Sequence, residues 1–152
     1  MKTVILCAGA ILLLGMASGW LSGSGNANPW FAGIAKPSFM PPGWVFPIAW
    51  TTLYILMGIA FAQLLGSSSP LRTIAITLFV AQLALNLAWS PVFFALHETR
   101  LALAILVVLD LVVIATIAVF AQVGLWPALL LIPYLVWLGL ATALNAAIVR
   151  LN

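Results

Sequence analysis

Five long apolar segments dominate the sequence, at about residues 4–22, 44–65, 71–94, 101–121 and 125–149. A helix needs about 20 consecutive apolar residues to cross the roughly 30 Å hydrocarbon core of a bilayer. Only 5% of the 152 residues are charged, whereas a soluble domain carries about 25%. A surface so poor in charge cannot face water. We therefore predict an all-α integral membrane protein, a single domain over residues 1–152 built as a bundle of five transmembrane helices.

The connections between the segments are short and have the composition of turns. Residues 66–70 are rich in Gly and Ser, residues 97–100 form the most polar tetrapeptide of the chain, and residues 122–124 allow only a tight turn. The longest connection, residues 23–43, is rich in Gly, Asn and Pro. Little of the chain remains outside the bilayer, and we predict no separate soluble module.

The first segment allows two interpretations. Lys2 followed by an apolar run that ends in small residues at 17–19 resembles a cleavable signal peptide. The recurrence of Gly15, Gly19 and Gly23 at every fourth position favours a retained helix that packs closely on a neighbour. We expect the retained helix.

Five spans place the two ends of the chain on opposite faces of the membrane. We call side B the face that carries residues 23–43. Side B has three of the five basic residues, namely Lys36, Arg100 and Arg150. This small excess of positive charge favours side B as the cytoplasmic face.

Side chains that are unusual in hydrocarbon collect in the half of the bundle next to side B. They recur at helical spacing on the second, third and fifth segments, so that each set shares one face. Aromatic walls with a few amide groups are typical of a small-molecule site. Hydrogen bonds between helices and ordinary core packing are the alternative explanation. The residues concerned are Trp50 and Tyr54, then Gln82, Asn86 and Trp89, and finally Tyr134, Trp137, Ala141, Leu144 and Asn145.

Residues 36–50, KPSFMPPGWVFPIAW, contain four prolines. The Pro41-Pro42-Gly43 sequence cannot be helical and favours a stiff, extended path. We interpret this stretch as a semi-rigid lid over the side B mouth of the pocket, with Lys36, Arg100 and Arg150 at the rim. Such a mouth suits a flat, hydrophobic, acidic ligand. The predicted lid residues are Lys36, Pro37, Phe39, Pro41, Pro42 and Trp44.

Asp110 falls near the centre of the fourth segment, where a carboxylate costs at least about 2.5 kcal/mol. It must be protonated, paired or facing a polar interior. A hydrogen bond to a neighbouring helix and a role in proton coupling are the two alternative explanations of this residue.

One His, one Cys and two acidic residues provide no metal site and no hydrolytic triad. No basic stripe is present that would bind nucleic acid.

Three stretches resemble the translocator protein family, also called the tryptophan-rich sensory proteins or peripheral-type benzodiazepine receptors. They are KPSFMPPGWVFPIAWTTLYILMG at 36–58, QLALNLAWSPVFF at 82–94 and PYLVWLGLATALNAAIVRLN at 133–152. They occur in the family's order, and the likeness covers most of residues 29–152. The chain resembles a bacterial-type member, which implies a bacterial cell membrane, inner or outer.

The resemblance implies a five-helix bundle, often a homodimer, that binds porphyrins such as protoporphyrin IX and haem. It also implies binding of benzodiazepine- or isoquinoline-type ligands and of sterols. The tetrapyrrole is then a ligand, and no cofactor is required. The resemblance implies a pocket among the first, second, third and fifth helices beneath the first loop. The family's pocket positions correspond here to Trp50, Asn86, Trp89, Trp137, Ala141 and Leu144, and the helix faces add Tyr54 and Asn145 to the predicted ligand-binding residues.

We therefore predict a membrane receptor, sensor or transport protein for tetrapyrroles, in which Trp50 and Trp137 stack on the macrocycle. One alternative is a slow light-dependent enzyme that degrades protoporphyrin, with these two tryptophans as catalytic residues. Another is a small proton-coupled exporter, in which Asp110→Asn blocks uptake into proteoliposomes.

Two positions depart from the family pattern. Phe39 stands where the family usually has a tryptophan. Residues 145–149 lack the aromatic residue of the family's sterol motif, which argues against tight cholesterol binding.

Overall fold

The computed structural model describes residues 1–152, and its regular structure is entirely helical. In chain order the elements are α1 (Lys2–Leu21), α2 (Pro29–Gly33), α3 (Val45–Leu65), α4 (Arg72–Ser90) with a π-helix (Pro91–Ala95), α5 (Thr99–Val123), α6 (Leu125–Leu129) and α7 (Ile132–Leu151). Five helical spans are long and apolar enough to cross a membrane, with α6 and α7 together forming the fifth. The predicted all-α, five-helix membrane fold is confirmed.

The transmembrane helices pack in pairs around a main apolar core, and a second, smaller apolar cluster lies near α2 and the π-helix. Helix α1 runs along α3, α4 packs against α5, and α5 packs against α7, while α3 also contacts α6. The core includes Met57, Phe79, Leu109 and Leu138, none of which is more than 1% exposed. Large apolar side chains on the outer faces, such as Val136, stay uncovered because lipid is their expected surroundings.

Glycine allows α1 and α3 to approach each other closely. A Cβ atom at Gly15 would collide with the ring of Tyr54, and one at Gly58 would collide with the backbone of Ala8. The predicted close packing is therefore confirmed at Gly15. Gly23 differs from the prediction, because its φ of 63° places it in the left-handed turn that follows α1.

Proline interrupts the regular hydrogen bonding of two spans. Pro91 has no N–H for the carbonyl of Leu87, and the hydroxyl of Ser18 on α1 donates to that oxygen instead, at 2.8 Å. The fifth span, predicted over 125–149, is present over Leu125–Leu151, but its helix is not continuous. It breaks at residues 130–131, because Pro133 cannot donate to the carbonyl of Leu129.

The connection over residues 23–43 is more structured than the sequence indicates, because it contains α2. The side chain of Asn28 caps this helix by accepting from the N–H of Phe31 at 3.1 Å, and its amide donates to the carbonyl of Phe94 at 3.2 Å. Asn152 at the end of α7 exchanges two hydrogen bonds with the backbone of Ala35, of 2.9 and 3.1 Å. Residues 41–42 lie outside any helix, as predicted. The connection is thus fastened to both α4 and α7.

Candidate ligand-binding cavity

A cavity of about 530 Å³ opens within the bundle, in the half next to side B. Its walls come from α1, α3, α4 with its π-helix, α7, and the connection over residues 23–43. No charged side chain lines it. The cavity is therefore an apolar space in which only neutral polar groups, namely amides, hydroxyls and indole N–H groups, can direct a ligand.

All eight predicted ligand-binding residues line this one cavity. Helical spacing places them on inward faces of three separate helices, and the bundle brings those faces together. Their contact with a ligand stays a prediction. They are Trp50 and Tyr54 on α3, Asn86 and Trp89 on α4, and Trp137, Ala141, Leu144 and Asn145 on α7.

Aromatic rings form a continuous wall between α3 and α7. The ring centres of Trp50 and Trp137 lie 6.5 Å apart, with the planes inclined by 84°. Trp50 stacks on Tyr54 with centres 5.3 Å apart, and the edge of Phe46 meets Trp137 at 5.7 Å. Edge-to-face and offset stacking at these separations are favourable. The wall presents extended π surfaces on which a flat ligand can stack.

The polar floor of the cavity is a hydrogen bond between two helices. The hydroxyl of Tyr54 donates to Oδ1 of Asn86 at 2.9 Å, and both residues are buried. The Nδ2 atom of Asn86 forms no hydrogen bond within the protein. It is also not fully enclosed by protein atoms. This amide can therefore donate to an acceptor on a bound ligand.

Asn145 has a different arrangement from Asn86. Its Oδ1 accepts from the indole N–H of Trp89 at 3.1 Å, and its Nδ2 donates to the carbonyl of Thr99 at 2.8 Å. The side chain thus joins α7 to α4 and α5. Asn145 borders the cavity, but both of its polar atoms already have protein partners.

The six predicted lid residues do not line the cavity. From the same stretch, Met40 and Gly43 do, and Trp44 points outward with 67% of its surface exposed. The ammonium of Lys36 donates to the carbonyls at the end of α2 and lies 4.7 Å from the ring centre of Phe31. Phe31 itself lines the cavity, so Lys36 is one residue removed from it. The other lid residues not in the lining are Pro37, Phe39, Pro41 and Pro42.

Arg100 and Arg150, predicted at the rim, are exposed and do not line the cavity either. Two further parts of the chain contribute lining residues that were not predicted. One is α1. The family resemblance implied the first helix, but no residue on it was predicted, because its inward face has no regular recurrence of polar or aromatic residues. The other is the π-helix, in which the wider turn after Pro91 brings Phe93 and Phe94 to the cavity. The missed lining residues on α1 are Leu12, Gly15, Met16, Ser18, Gly19 and Trp20.

Asp110 lies outside the cavity, between α5 and α7. Its Oδ2 accepts from the hydroxyl of Thr142 at 2.8 Å, and its Oδ1 is enclosed without a partner. The hydrogen bond to a neighbouring helix, one of the two predicted explanations, is therefore present. No cluster of three His, Cys, Asp or Glu side chains exists that could hold a metal ion.

Comparison with known proteins identifies the group to which this arrangement belongs. The sequence profile described as the TspO/MBR family matches residues 7–151. The chain belongs to the TspO/MBR family. Membership of the TspO/MBR family, together with the five apolar helical spans, identifies a multi-pass integral membrane protein.

Three relatives illustrate the range. A "Tryptophan-rich sensory protein" of Cereibacter sphaeroides is 44% identical over 128 residues, which is 82% of this chain and 78% of that protein. A "Tryptophan-rich protein TspO" of Chlorobaculum tepidum is 38% identical over 152 residues, covering 99% of this chain and 96% of that protein. The "Translocator protein" of Homo sapiens is 38% identical over 131 residues, which is 84% of this chain and 78% of that protein.

Proposed function

We propose that this protein is a membrane receptor or sensor that binds tetrapyrroles such as protoporphyrin IX or haem in the cavity beneath residues 23–43. The observation that carries the proposal is a charge-free cavity walled by Trp50, Trp137 and their aromatic neighbours. The names of the relatives, a tryptophan-rich sensory protein and a translocator protein, agree with such a role.

The dimensions and chemistry of the cavity suit a flat macrocycle. Small-molecule pockets typically enclose about 300–1,000 Å³, and the cavity of about 530 Å³ lies within that range. Edge-to-face indoles offer stacking surfaces, and Nδ2 of Asn86 offers one deep hydrogen-bond donor. With few directional groups, the same cavity suits other hydrophobic ligands, including the benzodiazepine and isoquinoline types.

The acidic groups of a tetrapyrrole belong at the mouth of the cavity, because burying a carboxylate among apolar walls is costly. Lys36 is a cation one residue removed from the lining, through its contact with Phe31. In this arrangement the macrocycle lies deep among the aromatic rings, and its carboxylates face side B.

Truncation of Trp137 is expected to weaken protoporphyrin binding. A buried aromatic residue at the centre of a contact typically contributes about 2 kcal/mol or more, so we expect Trp137→Ala to raise Kd at least roughly 30-fold. The measurement is a titration of detergent-purified protein with protoporphyrin IX, followed by quenching of tryptophan fluorescence.

The matched control for this titration is Trp126→Ala. Trp126 is 74% exposed and does not line the cavity, so its removal should leave Kd unchanged. Equal affinity in both variants, or quenching that never saturates, would contradict the proposal.

A light-dependent breakdown of protoporphyrin is the second candidate. It is favoured by the short aromatic series Trp137–Trp50–Tyr54, in which neighbouring ring centres lie 6.5 and 5.3 Å apart. If this reaction occurs, Trp50→Phe should abolish light-dependent bleaching of bound porphyrin in aerated buffer while changing Kd little. Bleaching at the wild-type rate in both Trp50→Phe and Trp137→Phe would remove the candidate.

The remaining predictions concern transport and assembly. Asp110 is hydrogen-bonded to Thr142 and does not line the cavity. A proton-coupled exporter would therefore need a proton path between Asp110 and the cavity. Homodimer formation in the bilayer also stays a prediction, as does the bacterial cell membrane as location.

A further inference from the structure

Two buried polar side chains beneath the cavity have no hydrogen-bond partner within the protein. Gln82 on α4 is 1% exposed, and neither its amide nitrogen nor its amide oxygen is paired. Tyr134 on α7 is also 1% exposed, and its hydroxyl is unpaired. The large majority of buried side-chain polar atoms in proteins have at least one partner, which is often an ordered water.

Each of these side chains lies near residues that form the inner end of the cavity. Gln82 lies one helical turn from Asn86 on the buried face of α4. The ring centre of Tyr134 lies 6.4 Å from that of Trp50, which stacks on Tyr54 with ring centres 5.3 Å apart. The Tyr54–Asn86 hydrogen bond forms the floor of the cavity. Neither Gln82 nor Tyr134 lines the cavity, and Gln82 precedes Asn86 on α4, farther from side B.

The unpaired groups match the requirements of water. A buried water typically makes about three hydrogen bonds, both donating and accepting. The amide of Gln82 supplies two donors and an acceptor, and the hydroxyl of Tyr134 supplies one of each. Apolar residues at these two positions would fill the same space without unpaired groups, so the polar pair indicates a polar occupant.

We propose that Gln82 and Tyr134 bind internal water beneath the cavity, and that this water connects to the Tyr54–Asn86 pair and holds it in place. The cavity then has two compartments: an apolar, aromatic chamber above Asn86 and a small hydrated chamber below it. A ligand that carries a hydrogen-bonding group past Asn86 would displace this water. The proposal does not depend on which ligand occupies the upper chamber.

Water-edited solid-state NMR of the full chain in lipid bilayers tests the hydration of Gln82. The chain has three glutamines, and Gln63 and Gln122 are exposed, so selective ¹⁵N labelling of glutamine side chains gives three signals with two internal references. Gln82→Leu assigns the third signal. We expect polarisation from water to reach the Gln82 amide within about twofold of the rate at the two references. Build-up several-fold slower, as in the apolar core, would overturn the proposal.

Stability provides a second test that does not rely on NMR. If water is bound, Tyr134→Phe and Gln82→Leu each leave that water short of a partner and lower the apparent Tm by roughly 3 °C or more, with the double variant losing less than the sum. The control is Gln63→Leu, at an exposed position. A rise in Tm for Gln82→Leu would mean that the amide is dry and unpaired, and would overturn the proposal.

Discussion

Porphyrin binding is expected to be lost in Ala141→Phe. Ala141 is half-buried on α7 and lines the cavity beside Trp137 and Leu144. A phenyl ring at this position extends into the space that the macrocycle would occupy. Because the ligand cannot compress a packed wall, we expect Kd to rise at least roughly 100-fold, which a fluorescence titration would record as loss of saturable quenching.

The matched control for this variant lies two residues away on the same helix. Ala143 is exposed on the outer face of α7, so Ala143→Phe adds the same side chain without entering the cavity. It should bind protoporphyrin IX like the wild type. Wild-type affinity in Ala141→Phe, with helical content and elution volume unchanged, would mean that the ligand binds elsewhere.

A valine at Gly58 is expected to separate α1 from α3. Its Cβ would collide with the backbone of Ala8, which cannot move aside as a flexible side chain can. Overpacking of this kind costs typically about 1–3 kcal/mol, and more where the backbone must shift. We expect the apparent Tm to fall by at least about 6 °C in a thermal-stability measurement.

The control for Gly58→Val is Gly139→Val. Gly139 also lies within a transmembrane helix, but no heavy atom lies within 4 Å of a Cβ built there. The two variants share the same cost in helix propensity, so their difference isolates the contact between α1 and α3. Equal Tm values for the two variants would contradict the packing described for this pair.

The membrane fold follows from the sequence because hydrocarbon imposes one simple rule. Each span must be apolar and helical for about 20 residues, and that pattern is visible without knowledge of tertiary contacts. The details that depend on particular contacts are less accessible. Pro133 is visible in the sequence, but whether the helix bends or breaks around it depends on packing. The hydroxyl of Ser18 reaches the carbonyl of Leu87 across 69 positions of sequence, a contact that no local pattern indicates.

The cavity was predictable where polar or aromatic residues recur along an otherwise aliphatic helix. Trp50, Asn86 and Trp137 stand out for that reason, and their helices turn these faces to one space. Helix α1 contributes mostly small and aliphatic side chains, which look the same whether they face a cavity or lipid. Its part in the wall therefore could not be inferred from periodicity.

The role of the connection over residues 23–43 was only partly predictable. Its prolines indicate stiffness, but the side chains that fasten it are Asn28 and Asn152, and single asparagines carry no pattern. The backbone path brings Met40 and Gly43 to the cavity and leaves Phe39 and Trp44 facing outward. The hydrogen bonds of Asn28 and Asn152 fix the path of this segment, and that path decides which of its side chains face the cavity.

A structure of the protein with bound protoporphyrin IX tests the central claim most directly. We expect the macrocycle within the aromatic wall formed by Trp50 and Trp137, with an acceptor within hydrogen-bond distance of Nδ2 of Asn86. The contradictory result is a macrocycle in the shallow apolar groove on the outer surface, where Cys7, Phe61 and Val80 are among the lining residues. In that case the cavity beneath residues 23–43 would not be the tetrapyrrole site.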